Sequence, residues 1–149
     1  MAEQAQGICQ TEIEQYAQEG GRTLIDLYFD VAAQPEVRRA LISITNGVRE
    51  KRHVYTRAYR RFRDTIVVMA KSQMRAMQIS RLEGFLAMEI LLYDKETRLG
   101  KVNALGCAMS IINALDKVLY RKVSQIIDLR VACVARDHAG FNVRVVMLT

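Results

Sequence analysis

From Asp64 to the C-terminus the apolar residues switch repeatedly between two periods, and few folds accommodate that order. "TIVVMA" (65–70) is β-branched and apolar on both faces, as in a central strand. "SQMRAMQISRLEGFLAMEILL" (72–92) is rich in helix formers, with Ser72 placed to cap it. "RLGKVNALG" (98–106) reads as a short strand ending at Gly106. "CAMSIINALDKVLYRK" (107–122) puts Ala108, Ile111, Ile112, Leu115 and Val118 on one helical face. "QIIDLRVACVAR" (125–136) alternates, "DHAG" (137–140) is a turn signal, and "FNVRVVMLT" (141–149) closes a hairpin. The order β-α-β-α-β-β predicts an α+β fold with a four-stranded mixed sheet over residues 64–149.

Residues 1–63 read as a helical N-terminal extension. Thr11 and Glu14 fit a capping box. Leu24, Leu27, Tyr28 and Val31 follow helical spacing, and Gly20-Gly21 separates two short helices. Pro35 suits the first turn of the next helix. Its apolar stripe runs through Val37, Leu41, Ile44 and Val48, with Asn46-Gly47 breaking or bending it. Val48, Tyr55, Tyr59 and Phe62 continue the stripe, which predicts an amphipathic helix with aromatics inward and arginines outward.

That outward face carries the charge of the whole protein. "REKRHVYTRAYRRFR" (49–63) holds seven Lys/Arg against Glu50 alone, a net +6 that equals the formal charge of the chain. Residues 1–35 sum to −5, residues 36–63 to +7 and residues 64–149 to +4. Arginine dominates, which suits bidentate contacts to phosphate or carboxylate. Three readings of the segment are open: a solvated helix face, a phosphate-binding face, or a docking helix for an acidic protein surface. Its candidate nucleic-acid-binding residues are Arg49, Lys51, Arg52, Arg57, Arg60, Arg61 and Arg63. Lys71 and Arg75 flank the expected start of the 72–92 helix, where free N–H groups attract phosphate, or else they are ordinary surface charge.

Two junctions carry a family resemblance: "VVMAKSQMRAM" (67–77), and "VNALGCAMSIINALDKVL" (102–119) with Ala104, Gly106 and Ala108. With the element order, they resemble the Alba superfamily of nucleic-acid-binding proteins, and within it the stage V sporulation protein S branch. The resemblance covers about residues 64–149. It implies an Alba-like domain, binding to RNA or DNA chiefly through backbone contacts, pairing into a homodimer, and a final hairpin that serves as an arm. Arg136 and Arg144, in and beside that hairpin's turn, join the candidate contacts.

Other chemistries find little footing. Cys9, Cys107 and Cys133 are too few and too scattered for a disulfide framework or a cysteine zinc site, and a reducing, cytoplasmic location is expected. Cys107 in the first turn of a helix would have a lowered thiol pKa, but between Gly106 and Ala108 it reads better as a packing residue. His53 and His138 lack neighbours spaced for a metal, and Asp137-His138 lacks a nucleophile. Neither a P-loop nor a G-x-G-x-x-G is present, and the methionines read as core filler. The expectation is a non-enzymatic nucleic-acid-binding protein without cofactor, metal or membrane span. The alternative is a structural or regulatory subunit of a larger assembly, docking on an acidic protein through the basic helix.

Overall fold

Leu86–Tyr93 is buried at every position, and a strand buried on both faces can only sit inside a sheet. In the computed structural model, which describes residues 12–148, this segment is the central strand of a four-stranded sheet. The elements in chain order are α1 (Glu12–Glu19), β1 (Leu24–Phe29), β2 (Arg38–Thr45), β3 (Val48–Tyr55), α2 (Arg57–Ala76) and β4 (Leu86–Asp94). A 3-10 turn (Glu96–Lys101), α3 (Ala104–Ala114), a second 3-10 turn (Val123–Gln125), β5 (Ile126–Ala135) and β6 (Gly140–Met147) follow.

The main sheet has the order β1-β6-β4-β5. β4 runs antiparallel to β6 and parallel to β5, and β1 is antiparallel to β6. The fold class is therefore α+β with a four-stranded mixed sheet, as the sequence predicts. One face of the sheet carries α2 and α3: Ile66 and Ala70 of α2 and Ala108 and Ile111 of α3 share a core with Leu27, Ile90 and Val143. The other face carries α1, whose Ile13 and Ala17 pack on Ala87 and Val146. β2 and β3 pair only with each other.

Several predicted elements are replaced. Leu24–Phe29 is an edge strand, not helix: Ile25, Leu27 and Phe29 are buried and alternate with Leu24, Asp26 and Tyr28, a period of two. No helix starts at Pro35. The stripe from Val37 to Val48 is a hairpin, turned at Asn46 (φ 54) and Gly47 (φ 78). Both central residues of that turn lie at positive φ, the signature of a two-residue loop that matches strand twist. The basic stretch 49–63 is strand as far as Tyr55 and helix from Arg57, with Thr56 as the N-cap accepting from the Tyr59 N–H. Thr65–Ala70 is helical despite its β-branching, because Ile66 and Ala70 fall on the buried stripe of α2. Ser72 therefore lies inside α2 and caps nothing, and the helix predicted over 72–92 splits into the end of α2 and strand β4.

Residues 98–106 form the 3-10 turn and the start of α3, capped by Asn103, whose side chain accepts from Gly106 N–H. The helix expected to Lys122 ends at Ala114. β5 and β6 are both strands, but β4 lies between them, so the 136–139 turn crosses the end of β4 and closes no hairpin. The division expected between residues 63 and 64 falls inside α2, and β1 belongs to the same sheet as β4–β6. Thr11 of the expected capping box lies outside the described residues.

Candidate nucleic-acid interface

The hairpin of β2 and β3 stands off the sheet with nearly all of its residues exposed. Its register places Arg38, Ala40, Ile42 and Ile44 opposite Tyr55, His53, Lys51 and Arg49. Side chains directly opposite one another share a face. One face therefore carries Arg38, Arg49, Lys51 and His53 around Ile42 and Ile44. The other carries Arg39 and Arg52 with Glu50. Ile42 and Ile44 are 49% and 72% exposed, so the aliphatic side chains are presented among the bases rather than buried.

An aromatic chain roots this ribbon in the core. The rings of Tyr55 and Tyr59 lie 4.8 Å apart, Tyr59 and Phe62 6.3 Å, Phe62 and Phe141 6.3 Å, and Phe141 stacks on Phe29 at 4.7 Å. Arg38 lies over the Tyr55 ring at 4.6 Å and donates to its hydroxyl at 2.8 Å. The Thr56 N–H donates to the Val37 carbonyl at 2.9 Å and closes the hairpin base. The Tyr59 hydroxyl donates to the Ser110 carbonyl at 3.3 Å. Burial, reinforced by Glu36, pushes the Tyr59 hydroxyl pKa up.

α2 begins where the hairpin ends, and its first two turns add Arg57, Arg60, Arg61 and Arg63 with no acid in the first turn. The N-terminus of a helix is its positive end, where cations are unfavourable by roughly 0.3–1 kcal/mol each and anions are favourable by similar amounts. The hairpin strands bring further positive charge to the same place. Among the described residues, Arg39, Arg49, Lys51, Arg52, Arg57, Arg60 and Arg61 form no salt bridge, while Arg38 lies 3.8 Å from Glu36. Arg63 is half-buried, 5.8 Å over the Tyr55 ring.

The remaining predicted contacts lie elsewhere. Lys71 and Arg75 are exposed on the second half of α2, with Arg75 in its last turn, so neither sits at a helix N-terminus. Arg136 stacks on Tyr93 at 3.9 Å beside the turn that crosses β4. Arg144 is largely buried on the α1 face, bonded to Glu14, 3.2 Å from Asp26 and 3.7 Å from Glu89, so its charge is spent inside the protein. Cys107 is buried and desolvation pushes its thiol pKa up, which makes it a packing residue. Among the described residues no metal-binding cluster occurs, and no helix is long and apolar enough to cross a membrane.

Sequence reasoning missed Arg38 and Arg39, which the hairpin brings beside the basic stretch. The signal for them was Asn46-Gly47, the strongest short-range hairpin dipeptide, flanked by the apolar run of β2.

No family model matches this chain, and no curated protein matches it in sequence.

Proposed function

We propose that the β2–β3 hairpin and the first turns of α2 form an arm that binds duplex nucleic acid, with B-form DNA as the preferred form. The observation that carries this reading is the gathering of uncompensated arginines on a free two-stranded ribbon and at the positive end of the helix that roots it. A polyanion turns that unfavourable charge density into affinity, because each neutralised phosphate releases condensed counterions. An isolated two-stranded ribbon is marginal in water, so a partner along its length also steadies it.

Shape favours DNA over RNA. Strands of 8 residues span about 27 Å at roughly 3.4 Å per residue. The B-form major groove, about 12 Å wide, admits a two-stranded ribbon, whereas the A-form major groove is too narrow for side chains to read. Within such a groove the arginines reach phosphates, and Ile42 and Ile44 face base edges, where thymine methyl groups offer apolar contact. The role is that of a binding protein, with affinity chiefly from the backbone.

Titration of the protein against duplex DNA, duplex RNA and single strands at two salt concentrations tests this. Duplex DNA should bind tightest and weaken steeply with salt. A variant with residues 39–54 replaced by a short Gly-Ser turn should lose most of that affinity while keeping its folded spectrum. Equal binding by that variant would remove the arm from the interface. Salt-independent binding of an acidic protein, with no DNA binding, would make the ribbon a protein-docking device instead.

A further inference from the structure

The two edges of the main sheet are treated differently. At the β1 edge, the Gln73 side chain of α2 acts as a surrogate strand: the Tyr28 N–H donates to Gln73 Oε1 at 2.8 Å, and Gln73 Nε2 donates to the Tyr28 carbonyl at 2.7 Å. At the opposite edge, β5 runs for 10 residues and pairs only with β4 among the described residues. Ile127–Arg130 are exposed at every position. The ladder to β4 skips Ile127, and the charges Asp128 and Arg130 guard the edge against strands in general, but they are of opposite sign, so an antiparallel copy of the same strand satisfies them.

We infer that β5 is the dimerisation edge of this protein, pairing antiparallel with β5 of a second copy about a two-fold axis at Leu129. The exposed window is self-complementary in that register alone. With Leu129 on the axis, Asp128 lies opposite Arg130 of the second copy, and Arg130 opposite the second copy's Asp128. An isologous interface requires this reciprocity. The register of β5 on β4 puts Leu129 and Val131 on the face of Met88 and Ile90, the side of α2 and α3. Asp128 and Arg130 share the face of Ala87 and Glu89. The two copies thus bury Leu129 against Leu129 on one face and form two opposite-charge pairs on the other, each a favourable cross-strand pairing. The paired sheets become one eight-stranded sheet, and the unsatisfied backbone groups of both edges are consumed. This inference is independent of what the hairpin binds.

Sedimentation and crosslinking of the full chain test it. The wild-type protein should sediment at twice its 17.0 kDa at tens of micromolar. Asp128→Arg sets four arginines around the axis and should shift the mass to that of one chain with an unchanged circular dichroism spectrum. Mixing that variant with Arg130→Asp restores opposite charges at both positions and should return the dimer. Arg130 also lies 4.0 Å from buried Glu89, so a second readout covers the case in which Arg130→Asp does not fold. Leu129→Cys, in a Cys9→Ser background, should oxidise to a covalent dimer, because opposed residues in an antiparallel pair lie about 4.5–5.5 Å apart at Cα, within disulfide reach. A monomeric wild type, or a dimer that ignores Asp128→Arg and does not crosslink at Leu129, overturns the assignment.

Discussion

Removing three hairpin charges should change how binding depends on salt and leave the fold alone. The perturbation is Arg49→Gln/Lys51→Gln/Arg52→Gln. All three side chains are exposed, none is in a salt bridge among the described residues, and they project from both faces of the ribbon. If each neutralises one phosphate of duplex DNA, the slope of log K against log salt should fall in magnitude by roughly 2.7, at about 0.9 per phosphate. Between 50 and 200 mM salt, the wild type should then lose roughly 40-fold more affinity than the variant does. Stability should move by less than about 0.5 kcal/mol, as for surface substitutions away from packed features. Tyr59→Ala should behave in the opposite way. Its ring is 2% exposed between Tyr55 and Phe62, so its loss should cost on the order of 3–5 kcal/mol. Fluorescence anisotropy on a labelled duplex at four salt concentrations reads the slope, and urea unfolding reads the stability. A slope change below about 1 in the triple variant would show that the ribbon does not lie on phosphates.

A fragment of residues 64–149 should not unfold cooperatively, because it lacks β1, Tyr59 and Phe62 and begins inside α2; a sharp urea transition for it would show that those parts are dispensable. Gln73→Ala should cost about 1–2 kcal/mol by freeing the Tyr28 N–H and carbonyl, and should raise hydrogen exchange in β1; unchanged exchange there would mean that water replaces the amide at no cost. Stability should fall as the pH rises above about 9. Burial raises the pKa of Cys107 above its ordinary 9.0, and those of Tyr59, Tyr93 and Tyr120 above 10.0, so the unfolded chain releases protons that the folded protein keeps. The stability from these groups is complete below the unfolded pKa values and is lost as the pH climbs towards the folded ones; equal urea midpoints at pH 8 and pH 10.5 would count against their burial.

Charge was legible without coordinates. The block map, −5 then +7 then +4, locates the candidate interface, because formal charge depends on composition alone and a dense run of like charge stays at the surface whether it is helix or strand, whereas a single charge such as Arg144 can be buried against acids. So were β5, β6 and the turn between them, whose alternation and "DHAG" signal are local. The α+β class and a four-stranded mixed sheet match the expectation, but only β5 and β6 are strands that the sequence predicts; Leu24–Phe29 and Leu86–Asp94 take the places expected for 65–70 and 98–106. What tertiary structure alone decided was the secondary structure of segments with mixed signals. "TIVVMA" prefers strand locally but is helix, because Ile66 and Ala70 complete the stripe that α2 lays on the sheet. "LAMEILLY" is made of helix formers but is strand, because β5 and β6 pair on either side of it and bury both of its faces. Leu24, Leu27 and Tyr28 satisfy a helical period while Ile25, Leu27 and Phe29 satisfy a two-residue one, and only pairing with β6 selects the second. The arginines of 49–63 lie on a ribbon rather than on one long helix because Asn46 and Gly47 turn the chain back and pair it with β2. Local propensity is worth tenths of a kcal/mol per residue, while burying one large apolar side chain is worth roughly 1.5–3 kcal/mol; where the two conflict, the partner across the core decides.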